Sequence, residues 1–188
     1  MVASIDKILE AMPHSSIPPI IGQPTYSYIH EIHQYLSSNA ASIQSNLGCV
    51  TLGLIYLTLS PTVYATLSAT LFVPPPNPGA TATISSTATA FQTSSIRRAH
   101  DDSQELFKEY DNTDKALKNL LIGAVNDIFL RAIRARYVGY ANITTRQMLT
   151  HLYTTYANIT PAELIENNTH LKTAYGVNQP IERLFKQI

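Results

Sequence analysis

Three observations predict an all-α fold, a compact multi-helix bundle of five to eight helices. Apolar residues recur at helical spacing in four separate stretches. Helix starts are marked, with Thr144 or Thr145 ahead of one stretch and "TPAE" ahead of another. No two strongly alternating stretches exist that could pair as a sheet.

The 188 residues suffice for one domain, and 14% charged residues is low against a typical ~25%. Residues 1–21 are expected to be a flexible segment, and residues 22–188 the helical domain. The start "MVASIDKILEAMPHSS" lacks the basic residues and apolar run of a secretory signal, which points to a cytoplasmic protein. On that reading the sequons at Asn142, Asn158 and Asn167 belong to caps and turns rather than to glycans.

The first helix is expected in "PTYSYIHEIHQYLSSNAASIQSN", with Tyr26, Ile29, His33 and Leu36 at helical spacing. Between Glu31 and Arg97 there is no Asp, Glu, Lys or Arg. The first half of that span is apolar enough to raise a membrane reading. Pro61 interrupts it, Ser, Thr and Tyr recur through it, and neither end carries flanking Lys or Arg. Two short buried helices broken at Ser60-Pro61 are expected instead. Cys49, with apolar neighbours, reads as a small buried hydrophobe. Residues 74–95 are Pro-rich and then Ala/Thr-rich, which predicts a disordered low-complexity loop.

The strongest helical stretch runs from Ser103 to Tyr137. Its doublets are Ala116/Leu117, Leu120/Leu121, Ala124/Val125, Ile128/Phe129 and Ala132/Ile133. A repeat of four drifts by about 40° per step on a helix of 3.6 residues per turn. The stripe therefore winds, as on a central helix with different neighbours at its two ends. The next helix carries Leu149, Leu152, Tyr153 and Tyr156 on one face. In "TPAE", Thr160, Pro161 and Glu163 form a capping box. A last helix is expected to place Ile181, Leu184, Phe185 and Ile188 together. That face stops at the final residue, and the chain is expected to be cut from a longer one.

Candidate chemistry is sparse. "HEIH" spaces His30 and His33 at i, i+3, whereas a zinc protease helix needs i, i+4 and a third ligand. A single cysteine rules out an internal disulfide and a multi-cysteine zinc site. "AHDDS", residues 99–103, gathers His, Asp and Ser, but adjacent residues cannot face one another as a triad does. No Gly-rich phosphate loop is present. The expectation is no enzyme, no metal and no cofactor. The basic cluster "RAIRARY" offers Arg131, Arg134 and Arg136 as RNA contacts, or as cations complementing a helix end.

The block "YDNTDKALKNLLIGAVNDIFLRAIRARYVGYANITTRQMLTHLYTTYANITPAEL" resembles the N-terminal gag region of copia-type LTR retrotransposons. In that family a stretch ending in W-x-x-L-x-x-x-Y runs from one core helix into the next. Ala116 begins it here, and Leu149, Leu152 and Tyr156 fall on the last motif, with Leu149 in place of the Trp. "YGVNQPIERLFKQI" and "GQPTYSYIHEIHQYLSSNAASIQSNLG" are similar to the same group, so the resemblance spans about Gly22 to Ile188. It implies a capsid-like helical domain that assembles with copies of itself. RNA would then be held by a downstream zinc-knuckle module that this chain lacks. The core residues carrying the resemblance and its packing are Ala116, Leu117, Leu120, Leu121, Val125, Ile128, Phe129, Leu149, Leu152 and Tyr156. Two rival readings are a helical adaptor or domesticated gag descendant binding a host protein, and a membrane-associated protein using residues 47–73.

Overall fold

A computed structural model of the chain describes residues 4–158 together with 164, 165 and 169. Six α-helices follow in order: α1 (Ile5–Ala11), α2 (Tyr26–Ser42), α3 (Pro61–Leu67), α4 (Ala90–Ala124), α5 (Asp127–Leu130) and α6 (Thr145–Tyr156). Short 3₁₀ turns stand at Val50–Leu52, Ile55–Leu57 and Arg131–Ile133. Among the described residues there is no strand, and the fold is all-α. The expectations at Thr160, Pro161 and Glu163, at Asn167, and at Ile181, Leu184, Phe185 and Ile188 lie outside the described residues.

The N-terminal segment is a correction. Residues 1–21 were expected to be flexible, yet α1 packs on α4 with Ile8 buried, and Met12 and Ile17 after it are buried too. The buried side chain of Asn39 accounts for this. Its Oδ1 accepts from the His14 backbone N–H and its Nδ2 donates to the His14 carbonyl, both at 2.8 Å. Further on, the Ile20 N–H donates to the carbonyl of Ala124 at 2.8 Å. A segment tied by backbone pairing at two points cannot behave as a loose tail.

Helix α2 buries Ile29, Ile32, Leu36 and Ala40, and it packs against α4 and α6. The chain then turns back on α2, where the Leu54 N–H meets the carbonyl of Ala40 at 2.9 Å. Gly53 allows this approach. It adopts φ +52°, and a Cβ there would clash with the carbonyls of Ala41 and Ile43. The apolar stretch 47–73 therefore holds only one α-helix: where the earlier of the two expected helices would lie, the chain forms 3₁₀ turns interrupted by Gly53. Ser60 caps α3 and Pro61 takes its first position, as the break at Ser60-Pro61 indicated. No described helix is long and apolar enough to cross a membrane.

Tyr56, Tyr64, Phe72 and Tyr110 form an aromatic cluster, with Tyr56 and Phe72 stacked at 4.2 Å between ring centroids. The Tyr64 hydroxyl accepts the Cys49 N–H at 3.0 Å. Cys49 itself is half-buried rather than in the core. Its Sγ stands 3.2 Å from the Thr51 hydroxyl, which holds the thiol below its ordinary pKa.

Helix α4 differs from expectation at both ends. It starts at Ala90, inside the tract expected to be a loop. The Thr89 hydroxyl accepts from the Gln92 N–H while Gln92 reaches back to the Thr89 N–H. It stops at Ala124, because Val125 turns extended and Asn126 caps α5 through the Ile128 N–H at 3.1 Å. At 35 residues α4 is about 52 Å long. None of its residues from 90 to 112 is buried; Tyr110 packs half-buried on Phe72, and the buried positions begin at Thr113.

Candidate functional site

The residues singled out in the sequence converge where α4 meets α6. Ala116, Leu117, Leu121 and Val125 are buried, as are Leu149 and Leu152 opposite them. Leu120, Phe129 and Tyr156 are half-buried, and the Phe129 and Tyr156 rings meet edge to face at 5.3 Å. Ile128 is a correction: it is 65% exposed. The break at Val125 and Asn126 rotates α5 away from the stripe that α4 carries, so the spacing of four no longer describes one surface.

Polar groups lock this junction. The carboxylate of Asp114 accepts the Thr145 N–H at 3.0 Å, and the Thr145 hydroxyl donates to the Asp114 carbonyl at 3.1 Å. The Lys118 ammonium lies 3.5 Å from the same carboxylate, and both side chains are nearly buried. Thr145 has no exposed surface. A free N–H at the start of α6 is thus satisfied by a charged acceptor from another helix, a strong arrangement in a site shielded from water. Thr144 completes the start with its own capping box to Gln147. One residue on, Arg146 donates to the Leu59 carbonyl at 3.2 Å and lies over the Tyr56 ring at 4.8 Å.

A second polar group joins α2 to α6. The Tyr153 hydroxyl stands 3.1 Å from Nδ1 of His33 and 3.5 Å from Nδ1 of His30. The Tyr26 ring stacks on His30 and meets Tyr153 edge to face. Burial holds the His33 imidazole below its ordinary pKa and pushes the Tyr153 phenol up to about 12. Both groups are therefore neutral at pH 7. The pair "HEIH" serves here as an interhelix contact, and no group of three metal-ligating side chains occurs among the described residues.

Arg131, Arg134 and Arg136 are exposed, beside a turn closed by mutual backbone bonds between Ala135 and Gly139. Arg134 pairs with Asp127 at 3.2 Å, and Asp127 also accepts the Tyr140 hydroxyl at 2.7 Å. Burial, and then that acceptor, push the Tyr140 phenol up to about 12. Arg136 lies over the Tyr137 ring, which is 88% exposed.

Two surface features escaped sequence reasoning. One is a cleft of 270 Å³ lined by Tyr56, Tyr64, Ser68 and Phe72 among others, with no acid or base beyond the two phenols. The other is the free length of α4, where Phe91 is 83% exposed and Ile96 is also exposed. The signal for that arm was present in "TAFQ", a capping box hidden in the Ala/Thr tract. Comparison with protein-family models, with curated proteins and with solved structures gives no match.

Proposed function

We propose that this chain is a structural, self-assembling helical protein of the gag class, which builds a capsid-like shell from copies of itself. The observation that carries this reading is the division of α4. Its C-terminal half is committed to the core through Ala116, Leu117, Leu121 and Ala124, while its N-terminal half bears Phe91 and Ile96 on the surface. A helix held firmly at one end and free at the other is a means of presenting a surface to a partner. The resemblance to the copia-type gag region supports the same reading.

The proposal places the protein in the cytoplasm and assigns no reaction to this chain. RNA packaging falls to a downstream module, with Arg131, Arg134 and Arg136 as secondary contacts. Electron microscopy of the concentrated protein tests the shell. Closed particles or curved sheets are expected, and a field of single small particles at every concentration would overturn the reading. The gene offers a second check. An open frame beyond Ile188 that encodes a C-x-x-C knuckle and a D-[ST]-G protease is expected, and a stop without those modules would count against the retrotransposon assignment.

A further inference from the structure

The charges of this neutral chain are divided along its length. Residues 1–114 hold nine acids against four Lys and Arg, whereas residues 115–158 hold six Lys and Arg against one acid, Asp127. Both oxygens of that acid are taken, one by the Arg134 guanidinium and one by the Tyr140 hydroxyl. Lys115 and Lys118 are paired with Asp111 and Asp114 on α4, and Arg146 is occupied by the Leu59 carbonyl and the Tyr56 ring. Arg131 and Arg136 remain, both exposed and without an ion-pair partner among the described residues. The backbone holds them near one another. The Arg134 N–H donates to the Arg131 carbonyl at 3.2 Å, closing one 3₁₀ turn. Ala135 and Gly139 then exchange two bonds at 3.0 Å, which leaves Arg136, Tyr137 and Val138 as the tip of a tight turn. At that tip the Arg136 guanidinium lies 5.4 Å from the centre of the exposed Tyr137 ring.

We infer that this tip binds a single-stranded polynucleotide, with phosphates on Arg131 and Arg136 and one unpaired base stacked on the ring of Tyr137. The arginines set the charge of the ligand, because a local excess of cations in a chain of net charge zero attracts a polyanion. Tyr137 sets its form. An aromatic ring left in water beside a guanidinium is a stacking platform for a base. In a duplex the bases already stack on one another, and the ring would gain nothing there. A run of Asp and Glu would answer the arginines but has no planar face to set against the ring. Arg134 is a third cation within reach, since its pair with Asp127 is exposed and such pairs are weak enough to yield to a phosphate. The inference deepens the shell reading and rests on it for what the strand is. The RNA that the shell would enclose meets this chain directly, without the downstream module.

Fluorescence anisotropy of a labelled oligouridylate with the intact chain, kept dilute, tests the contact. Binding is expected to weaken with salt at a log–log slope of about −2, roughly 0.7 for each of about three phosphates. Tyr137→Ala is expected to weaken it about tenfold at unchanged slope, while Tyr137→Phe binds as the wild type does. Arg131→Ala combined with Arg136→Ala is expected to bring the slope to about −0.7. All these variants should melt as the wild type does, because the three positions are exposed. Equal affinity for duplex RNA of the same length, or a Tyr137→Ala chain that binds as tightly as the wild type, would overturn the inference. A chain that ignores the strand and binds phosphatidylserine vesicles would overturn it too, and would assign the tip to a lipid surface. A wild-type chain that binds no strand yet forms shells would overturn the contact alone. One that binds the strand and forms no shell would uphold the contact and overturn the shell.

Discussion

At the residue scale the account turns on a few polar side chains held away from water. Asp114 is the clearest, since it serves the Thr145 N–H and the Lys118 ammonium together. Asp114→Ala would leave both donors without a partner, one of them charged. The expected cost is about 2–4 kcal/mol, read as a lower urea midpoint at unchanged slope. A midpoint equal to the wild type would mean that the lock contributes nothing. His33 gives a pH dependence. Its folded pKa lies below the ordinary 6.5, so in the interval between the two values the unfolded chain binds more protons than the folded one. Its contribution is therefore complete above about pH 6.5 and is lost as pH falls below that. His30 on α2 and Tyr153 on α6 are the titratable groups facing it, and protonated His30 acts in the same direction. Thermal melts at pH 7.5 and 5.5 should show a smaller acid loss in His33→Gln than in the wild type. An identical loss in both would assign the effect elsewhere.

At the element scale, starts and stops explain which expectations held. Helices α2 and α6 were legible because their apolar spacing is regular and, for α6, because Thr144 announces its start. The span of α4 was not, for two local reasons. Composition made residues 74–95 look like loop throughout, but four residues, Thr89 to Gln92, suffice to nucleate a helix there. At the other end the spacing of four continued past Ala124, while Asn126 quietly supplied a cap for a new helix. Long-range pairing was invisible in principle. Nothing near Asp114 names Thr145, and nothing near His14 names Asn39, because each pair meets only once the chain has folded. The apolar half of the candidate site could be read from the sequence, and its polar half could not. The turn at Gly53 gives a test at this scale. Gly53→Ala adds a Cβ against two backbone carbonyls that cannot move aside cheaply, in a conformation L-residues avoid. A loss of at least about 2 kcal/mol is expected, and a stable variant with the 3₁₀ turns still packed on α2 would contradict the geometry.

At the scale of the whole molecule, one helix joins two different environments. The second half of α4 is a core element flanked by α1, α2 and α6, and the first half is surface. A low overall charge and a net charge of zero fit a chain that meets copies of itself, since like-charged molecules repel. The account therefore stands on association, and the molar mass of the wild-type chain over a hundredfold range of concentration tests it most directly. A mass that rises from monomer through dimer to larger species is the predicted result. A mass that remains that of one chain across the whole range would contradict it.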